Sequence, residues 1–295
     1  MIAKFLGIAA VAALASACET IPEATKASQR VLAQTLEVNG AELYCRTYGS
    51  GDRAVVFLQG AQLPCEMWEV QAKALSKHGW KVIVYDVRGF GKSSPVTEPF
   101  SHENDLRVLL DQLGIDRTAL VGLSLGGRIA IEFAVEHPER VDALVLVGPG
   151  LPGFPFDLGD PPWQKEIRAA VEAGDGARAA RAWLESGYLA PAMENPSVAS
   201  RVRELALANA RVWLEPDQEF PVEPPAIGRL STIKIPTLVV AGSRDVPPIL
   251  AIADHLEREI PGAHKAMMAG CGHVPNLERP EEFDRIVRQF LESVR

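Results

Sequence analysis

No cluster of basic residues occurs anywhere in the sequence. Its 30 Lys and Arg stand against 38 Asp and Glu, a formal charge of −8. A protein that neutralises phosphates needs a cationic footprint, so nucleic acid is excluded as a partner. Cysteine is scarce, four in 295 residues, and no Cys-x-x-Cys pair occurs, which argues against a zinc knuckle and a dithiol redox site. His-Glu-x-x-His is absent, and His78, His102, His137, His255 and His264 have no ligand spacing with one another. No metal is expected. The glycines of Asp86-Val87-Arg88-Gly89-Phe90-Gly91-Lys92-Ser93-Ser94 fit neither a phosphate loop nor a dinucleotide fingerprint, so no cofactor is expected. The stretch reads instead as a post-strand turn pinned by Asp86 and Arg88. No repeat at a solenoid period is visible.

What is present begins with an export signal. Lys4 precedes the apolar run Phe5 to Ala15, and Ser16-Ala17-Cys18 follows; charge, apolar core and small residues are the parts of a cleavable signal peptide over residues 1–17. The run is too short for a confident membrane span. Cys18 also resembles the lipid-attachment position of bacterial lipoproteins, although the usual Leu is displaced, with Leu14 four residues before it and Ala15 in its place. An uncleaved helical N-terminal anchor or a mis-assigned start codon is the alternative. The expected location is the periplasm or, through a lipid on Cys18, a membrane surface. Cys45, Cys65 and Cys271 remain. Buried thiols are the default for them, with a Cys65–Cys271 bridge as the alternative, because both fall in loops near the expected site.

Residues 18–33 read as a tether. Strand-like runs flank Asn39-Gly40, the strongest two-residue hairpin signal. Short apolar runs at Ala54–Leu58, Lys81–Tyr85, Thr118–Leu123, Val141–Val147, Thr237–Ala241 and His264–Met268 alternate with helical patterns, as in a sheet covered on both faces. Between residues 151 and 230 no such run occurs, only helical pieces broken by Pro and Gly. The expected architecture is α/β: a core over residues 34–150 and 231–295, and a helical lid at 151–230. Trp163, Trp183 and Trp213 read as core anchors of that insertion.

The chemistry centres on Gly122-Leu123-Ser124-Leu125-Gly126-Gly127, where a strand turns sharply into a helix. A side chain two positions before or after Ser124 would collide across that turn, so Gly122 and Gly126 stand there, and Gly127 lets the helix approach the sheet. Ser124 is thereby lifted above the sheet edge as a nucleophile. It needs a base and the base an orienting carboxylate. Asp245, after one strand, and His273, after the next, supply them in the order Ser, Asp, His. The backbone amides of Leu125 and Ala61 would hold the oxyanion, each worth about 3 kcal/mol in the transition state, and Gly60 would let the main chain approach. Lys92 and Arg244 read as solvated or ion-paired.

These landmarks, with Gln59-Gly60, Asp86 to Ser93, Gly242-Ser243-Arg244-Asp245 and Gly272-His273-Val274-Pro275-Asn276-Leu277-Glu278-Arg279-Pro280, resemble the alpha/beta-hydrolase superfamily in its lid-bearing serine hydrolase branch, over residues 34–293. The resemblance implies an eight-stranded, mostly parallel sheet with helices on both faces, and hydrolysis of a small-molecule ester or lactone through an acyl-enzyme. Carbon–carbon or amide hydrolysis by the same triad is the alternative, and a non-enzymatic surface lipoprotein of this fold is another. Ser124 argues against the dehalogenase and epoxide hydrolase branches, which use an Asp nucleophile. The chain departs from the pattern at Gln59, where the family usually has His. Oligomeric state is not readable.

Overall fold

The computed structural model describes residues 31–294. The signal peptide, Cys18 and the tether up to residue 30 lie outside the described residues. Eight strands form one sheet: β1 (Val31–Val38), β2 (Ala41–Tyr48), β3 (Arg53–Leu58), β4 (Trp80–Tyr85), β5 (Thr118–Leu123), β6 (Val141–Val147), β7 (Thr237–Gly242) and β8 (His264–Met268). Their order is β1-β2-β4-β3-β5-β6-β7-β8. β2 is antiparallel to both neighbours, and every pairing from β4 to β8 is parallel. Asn39 and Gly40, at φ 46° and 76°, make the hairpin between β1 and β2, in the left-handed conformations that such a turn requires.

The expected tether overlaps β1, which begins at Val31 rather than after residue 33. Val31 and Leu32 pair with Tyr48 and Thr47 but are 41% and 47% exposed. An edge strand open to solvent on both faces has no alternation to mark its start.

Two apolar cores flank the sheet because alternate strand residues point to opposite faces. Val56 and Leu58 of β3 face one core with α2 (His102–Gln112), α3 (Leu125–Glu136) and α8 (Pro247–Glu259). Val55 and Phe57 face the other, with α1 (Glu69–Ser76) and α10 (Pro280–Ser293). Trp68 stacks between Phe57 and Phe283, at ring distances of 5.0 and 5.8 Å, and fixes that second layer. Helix starts follow local chemistry: Ser101 accepts from the Asn104 amide at 3.2 Å and caps α2, satisfying one of the unpaired first-turn donors.

The segment between β6 and β7 carries α4 (Pro162–Glu172), α5 (Gly176–Trp183), α6 (Ala190–Glu194) and α7 (Pro196–Ala208). It contributes no strand to the sheet, only an isolated bridge between Phe100 and Glu219. Trp183, Leu184, Leu189 and Val202 join the second core, so the insertion is packed rather than loosely draped. Among the described residues no helix is long and apolar enough to cross a membrane. Cys45, Cys65 and Cys271 are free, buried thiols, and no Cys65–Cys271 bridge forms.

Candidate active site

The turn from β5 into α3 is as tight as its glycines suggest. A Cβ on Gly122 would lie 2.2 Å from the Gly126 carbonyl oxygen, and one on Gly126 2.2 Å from that of Leu58 in β3. Gly127 does the expected task and one more: a Cβ there would lie 3.2 Å from the Gly122 carbonyl oxygen in β5 and would strike Pro149, after β6, at 2.5 Å. Ser124 at the join adopts φ 53° and ψ −108°, a conformation costing a non-glycine residue about 1–3 kcal/mol. Neighbouring backbone holds it there. Its amide donates to Val147 at 2.9 Å, and its carbonyl accepts from Arg128 and Gly150 at 3.0 and 3.1 Å. The side chain is thus presented half-buried, at the floor of a cavity.

Asp245 follows β7 and His273 follows β8, which bring them beside Ser124 across adjacent strand ends. His273 Nδ1 lies 2.8 Å from Asp245 Oδ2, and the two residues are 5% and 6% exposed. The second carboxylate oxygen accepts from the Val246 amide at 2.7 Å. Gly148 (φ 44°) walls the pair: a Cβ there would sit 3.1 Å from Asp245 Oδ2 and 3.2 Å from His273 Nδ1. Tyr188 covers the imidazole with its ring at 4.8 Å; burial pushes its phenol up to about 12, so it stays neutral. Ser124 Oγ and His273 line one cavity but make no hydrogen bond with each other here. Such bonds commonly tighten only once a substrate is seated.

The amides of Ala61 and Leu125 donate to no described residue and remain free for an anion. Around Ala61 the loop differs from the expectation. Gly60 packs against Leu123, whose Cδ2 would lie 2.5 Å from a Cβ and would have to move aside. Gln59 is fully buried, and neither polar atom of its amide has a partner among the described residues. The Gly60 amide donates to Met67 Sδ at 3.4 Å. The Met67 carbonyl in turn accepts from Asn276 at 3.2 Å, which ties this loop to the one carrying His273.

The cavity has a volume of about 390 Å³ and is roofed by the insertion. Trp163, Trp183 and Trp213 all line it. Their reading as core anchors is therefore incomplete: Trp183 is buried in the core and also lines the cavity. Arg88 and Asp86 do pin the expected turn, Arg88 through paired bonds to Asp105 at 2.9 Å and Asp86 through the amides of Cys65 and Lys92. Lys92 and Arg244 form exposed ion pairs with Glu66 and Glu194.

Sequence reasoning missed Glu278. Its carboxylate accepts from the amides of Gly272 at 2.8 Å and Val274 at 3.2 Å, so it grips the backbone on both sides of His273. Burial, the largest influence, raises its carboxyl above the usual range. The spacing of five residues after the histidine was the available signal.

Glu132 on α3 was likewise unmarked. It is 2% exposed and lies 3.2 Å from Arg128, which also holds Glu219 of the insertion. Burial, the largest influence, pushes its carboxyl up to about 7; Arg128 opposes the rise and Glu219 adds to it. A carboxyl raised above its unfolded value near 4.3 favours the fold fully below that value and loses the benefit as pH rises through about 7. We expect the urea stability of the wild type, relative to Glu132→Gln, to fall by on the order of 3 kcal/mol between pH 4 and 8. Parallel stability curves for the two proteins would refute this.

A family model described as alpha/beta hydrolase fold matches residues 53–280. The chain is 31% identical over 255 residues to a 2-hydroxy-6-oxononadienedioate/2-hydroxy-6-oxononatrienedioate hydrolase of Burkholderia vietnamiensis, covering 82% of this chain and 88% of that protein. It is 27% identical over 272 residues to 3-oxoadipate enol-lactonase 2 of Acinetobacter baylyi, covering 87% and 96%. A solved enol-lactonase from Burkholderia xenovorans matches with a TM-score of 0.71 at 26% identity, over 88% of this chain and 100% of that one.

Proposed function

The chain belongs to the alpha/beta-hydrolase family, and from that premise we propose that it is a serine hydrolase acting on a carbonyl compound of small-molecule size. The observation that carries this reading is the buried His273–Asp245 pair opening onto the same cavity as Ser124. His273 takes the Ser124 proton as Oγ attacks the carbonyl carbon. Asp245 holds the ring in the tautomer with hydrogen on Nδ1 and offsets the charge it gains. The amides of Ala61 and Leu125 receive the oxyanion. His273 then hands its proton to the leaving group, and water repeats the sequence to release the acid.

Two bond types fit these steps. In an ester or lactone the leaving group is an alkoxide or enolate. In a diketone whose carbonyls are linked through a carbon–carbon double bond, the carbon left behind is conjugated to the second carbonyl. The leaving group is then a carbanion stabilised as a dienolate, which His273 protonates, and an acyl-enzyme on Ser124 forms in both cases. Relatives named for both reactions stand at similar distances from this chain, and the free oxyanion amides and the cavity serve either, so both belong to the proposal.

The test uses the described chain with a fluorophosphonate probe, p-nitrophenyl esters from acetate to decanoate, an enol-lactone, and a 2-hydroxy-6-oxo-dienoate whose colour bleaches on cleavage. We expect the probe on Ser124 and turnover of at least one substrate class. Bleaching far faster than ester hydrolysis would select the carbon–carbon reading. A folded protein that is neither labelled nor active on any of them would end the hydrolase proposal.

A further inference from the structure

A second cavity, of about 280 Å³, opens between α1 and α10 and shares no lining residue with the one over Ser124. Its apolar lining is Phe57 of β3, Leu75 of α1, and Phe283 and Val287 of α10. Gln71 and Asp284 line it as well. Gln71 is 2% exposed. Its Nε2 donates to the Asn276 carbonyl at 3.1 Å, which fixes the way the amide is turned. Oε1 is left buried, with no donor among the described residues. A polar atom stranded in this way bears the full cost of its lost hydration.

Asp284 stands apart from the other carboxylates of the fold. Asp86 and Glu278 hold backbone amides, Asp105 and Glu132 hold arginines, and Asp245 holds His273. Even the half-buried Glu66, Glu69, Glu166 and Glu257 each face a lysine or arginine. Among the described residues, Asp284 is the one carboxylate withdrawn from full exposure that has neither a basic side chain nor a backbone amide bonded to it. Arg288 is turned to Glu292 at 3.4 Å and Arg279 to Glu282 at 3.3 Å. Glu281, Arg285 and His78, the other charged or titratable groups of the lining, are exposed at the rim. Burial, the largest influence, raises the Asp284 carboxyl above the usual range, against the lowering effect of the Gln71 amide.

The stranded amide oxygen and the unpaired carboxylate are both acceptors, and no described side chain answers either. A primary ammonium brings three donors and the opposite charge. The rings of Phe57 and Phe283 favour such a cation and the apolar body that carries it. We propose that this cavity is a second binding site, separate from Ser124, for a primary amine borne on an aromatic or aliphatic body. Asp284 and Gln71 hold the ammonium, and the apolar body lies against the phenylalanines. Nothing in this inference depends on the hydrolase reading.

Isothermal titration calorimetry at pH 7 with 2-phenylethylamine, 2-phenylethanol and phenylacetate tests it. We expect the amine to bind wild type about tenfold more tightly than the alcohol, and phenylacetate to bind most weakly. Asp284→Asn should bring the amine down to the affinity of the alcohol. Asp284 bonds to no described residue, so this change should leave the melting temperature in place. Gln71→Leu should weaken the amine several-fold, and the alcohol, which needs only the apolar lining, reports that the cavity is intact in each variant. Trp163→Ala, in the cavity over Ser124, should leave the preference for the amine unchanged. Equal affinities for amine and alcohol in wild type, or no binding of any of the three at millimolar concentration, overturn the proposal. So does a preference that survives Asp284→Asn, and one that disappears in Trp163→Ala would move the amine to the other cavity.

Discussion

Replacing His273 by alanine is expected to lower turnover of an activated ester by roughly three to four orders of magnitude without unfolding the protein. The loss is large because no other described side chain stands ready to take the Ser124 proton. The nearest neighbour, Tyr188, is neutral and pushed up to about 12. Asp245→Asn should cost nearly as much by another route. An amide at 2.8 Å from Nδ1 can present N–H where a carboxylate accepts it, favouring the tautomer that places hydrogen on Nε2, where the proton from serine must arrive. Ser124→Ala should fall to the same floor, and combining it with His273→Ala should add little, because the residues act as one unit. Turnover of His273→Ala within tenfold of wild type, on a protein with unchanged melting temperature, would show that this imidazole is not the base.

The second large effect concerns the fold. Gly126→Ala puts a methyl group 2.2 Å from the Leu58 carbonyl oxygen and 2.5 Å from its carbon. Both belong to the backbone of β3, paired on either side with β4 and β5, so neither can step aside. The first turn of α3 must lift instead, carrying Ser124 and the Leu125 amide with it. We expect a loss of more than about 3 kcal/mol in urea unfolding, at the upper end for overpacked sites, with activity lost in whatever fraction remains folded. Gly228→Ala is the matched control: nothing lies within 4 Å of its Cβ position and its φ is not positive. It should change stability by less than about 1 kcal/mol. Similar melting curves for the two variants would disprove the account of the elbow.

Much of this was legible because the relevant constraints are local. The elbow is written in glycines at fixed offsets from Ser124, and the hairpin in Asn39-Gly40. β6 and β8 begin and end where their apolar runs do. What escaped is set by residues distant in sequence. The placement of β4 between β2 and β3 depends on pairings with no sequence signature of their own. Glu278 sits in Leu-Glu-Arg-Pro, where a carboxylate reads as surface charge; only the chain's return past Gly272 turns it into a clamp. The tryptophans of the insertion were recognisable as anchors, but that they also line the cavity follows from helix packing. Gln59 shows the limit in reverse, since a polar residue at a buried strand end gave no warning that its amide would lack partners.

The position of the insertion divides the chain in a way that bears on engineering. Residues 31–150 carry six strands and Ser124, whereas Asp245 and His273 come with β7 and β8. The connecting stretch after Leu151 has no regular structure until Pro162, and most of it is exposed. A single break there would leave the proposed nucleophile and the proposed base on separate polypeptides, to be rejoined along the parallel seam from Leu144–Thr237 to Val147–Val240. Hydrolysis by such a pair would rise with the concentration of both halves, turning a one-chain catalyst into a reporter of whatever brings two fused partners together.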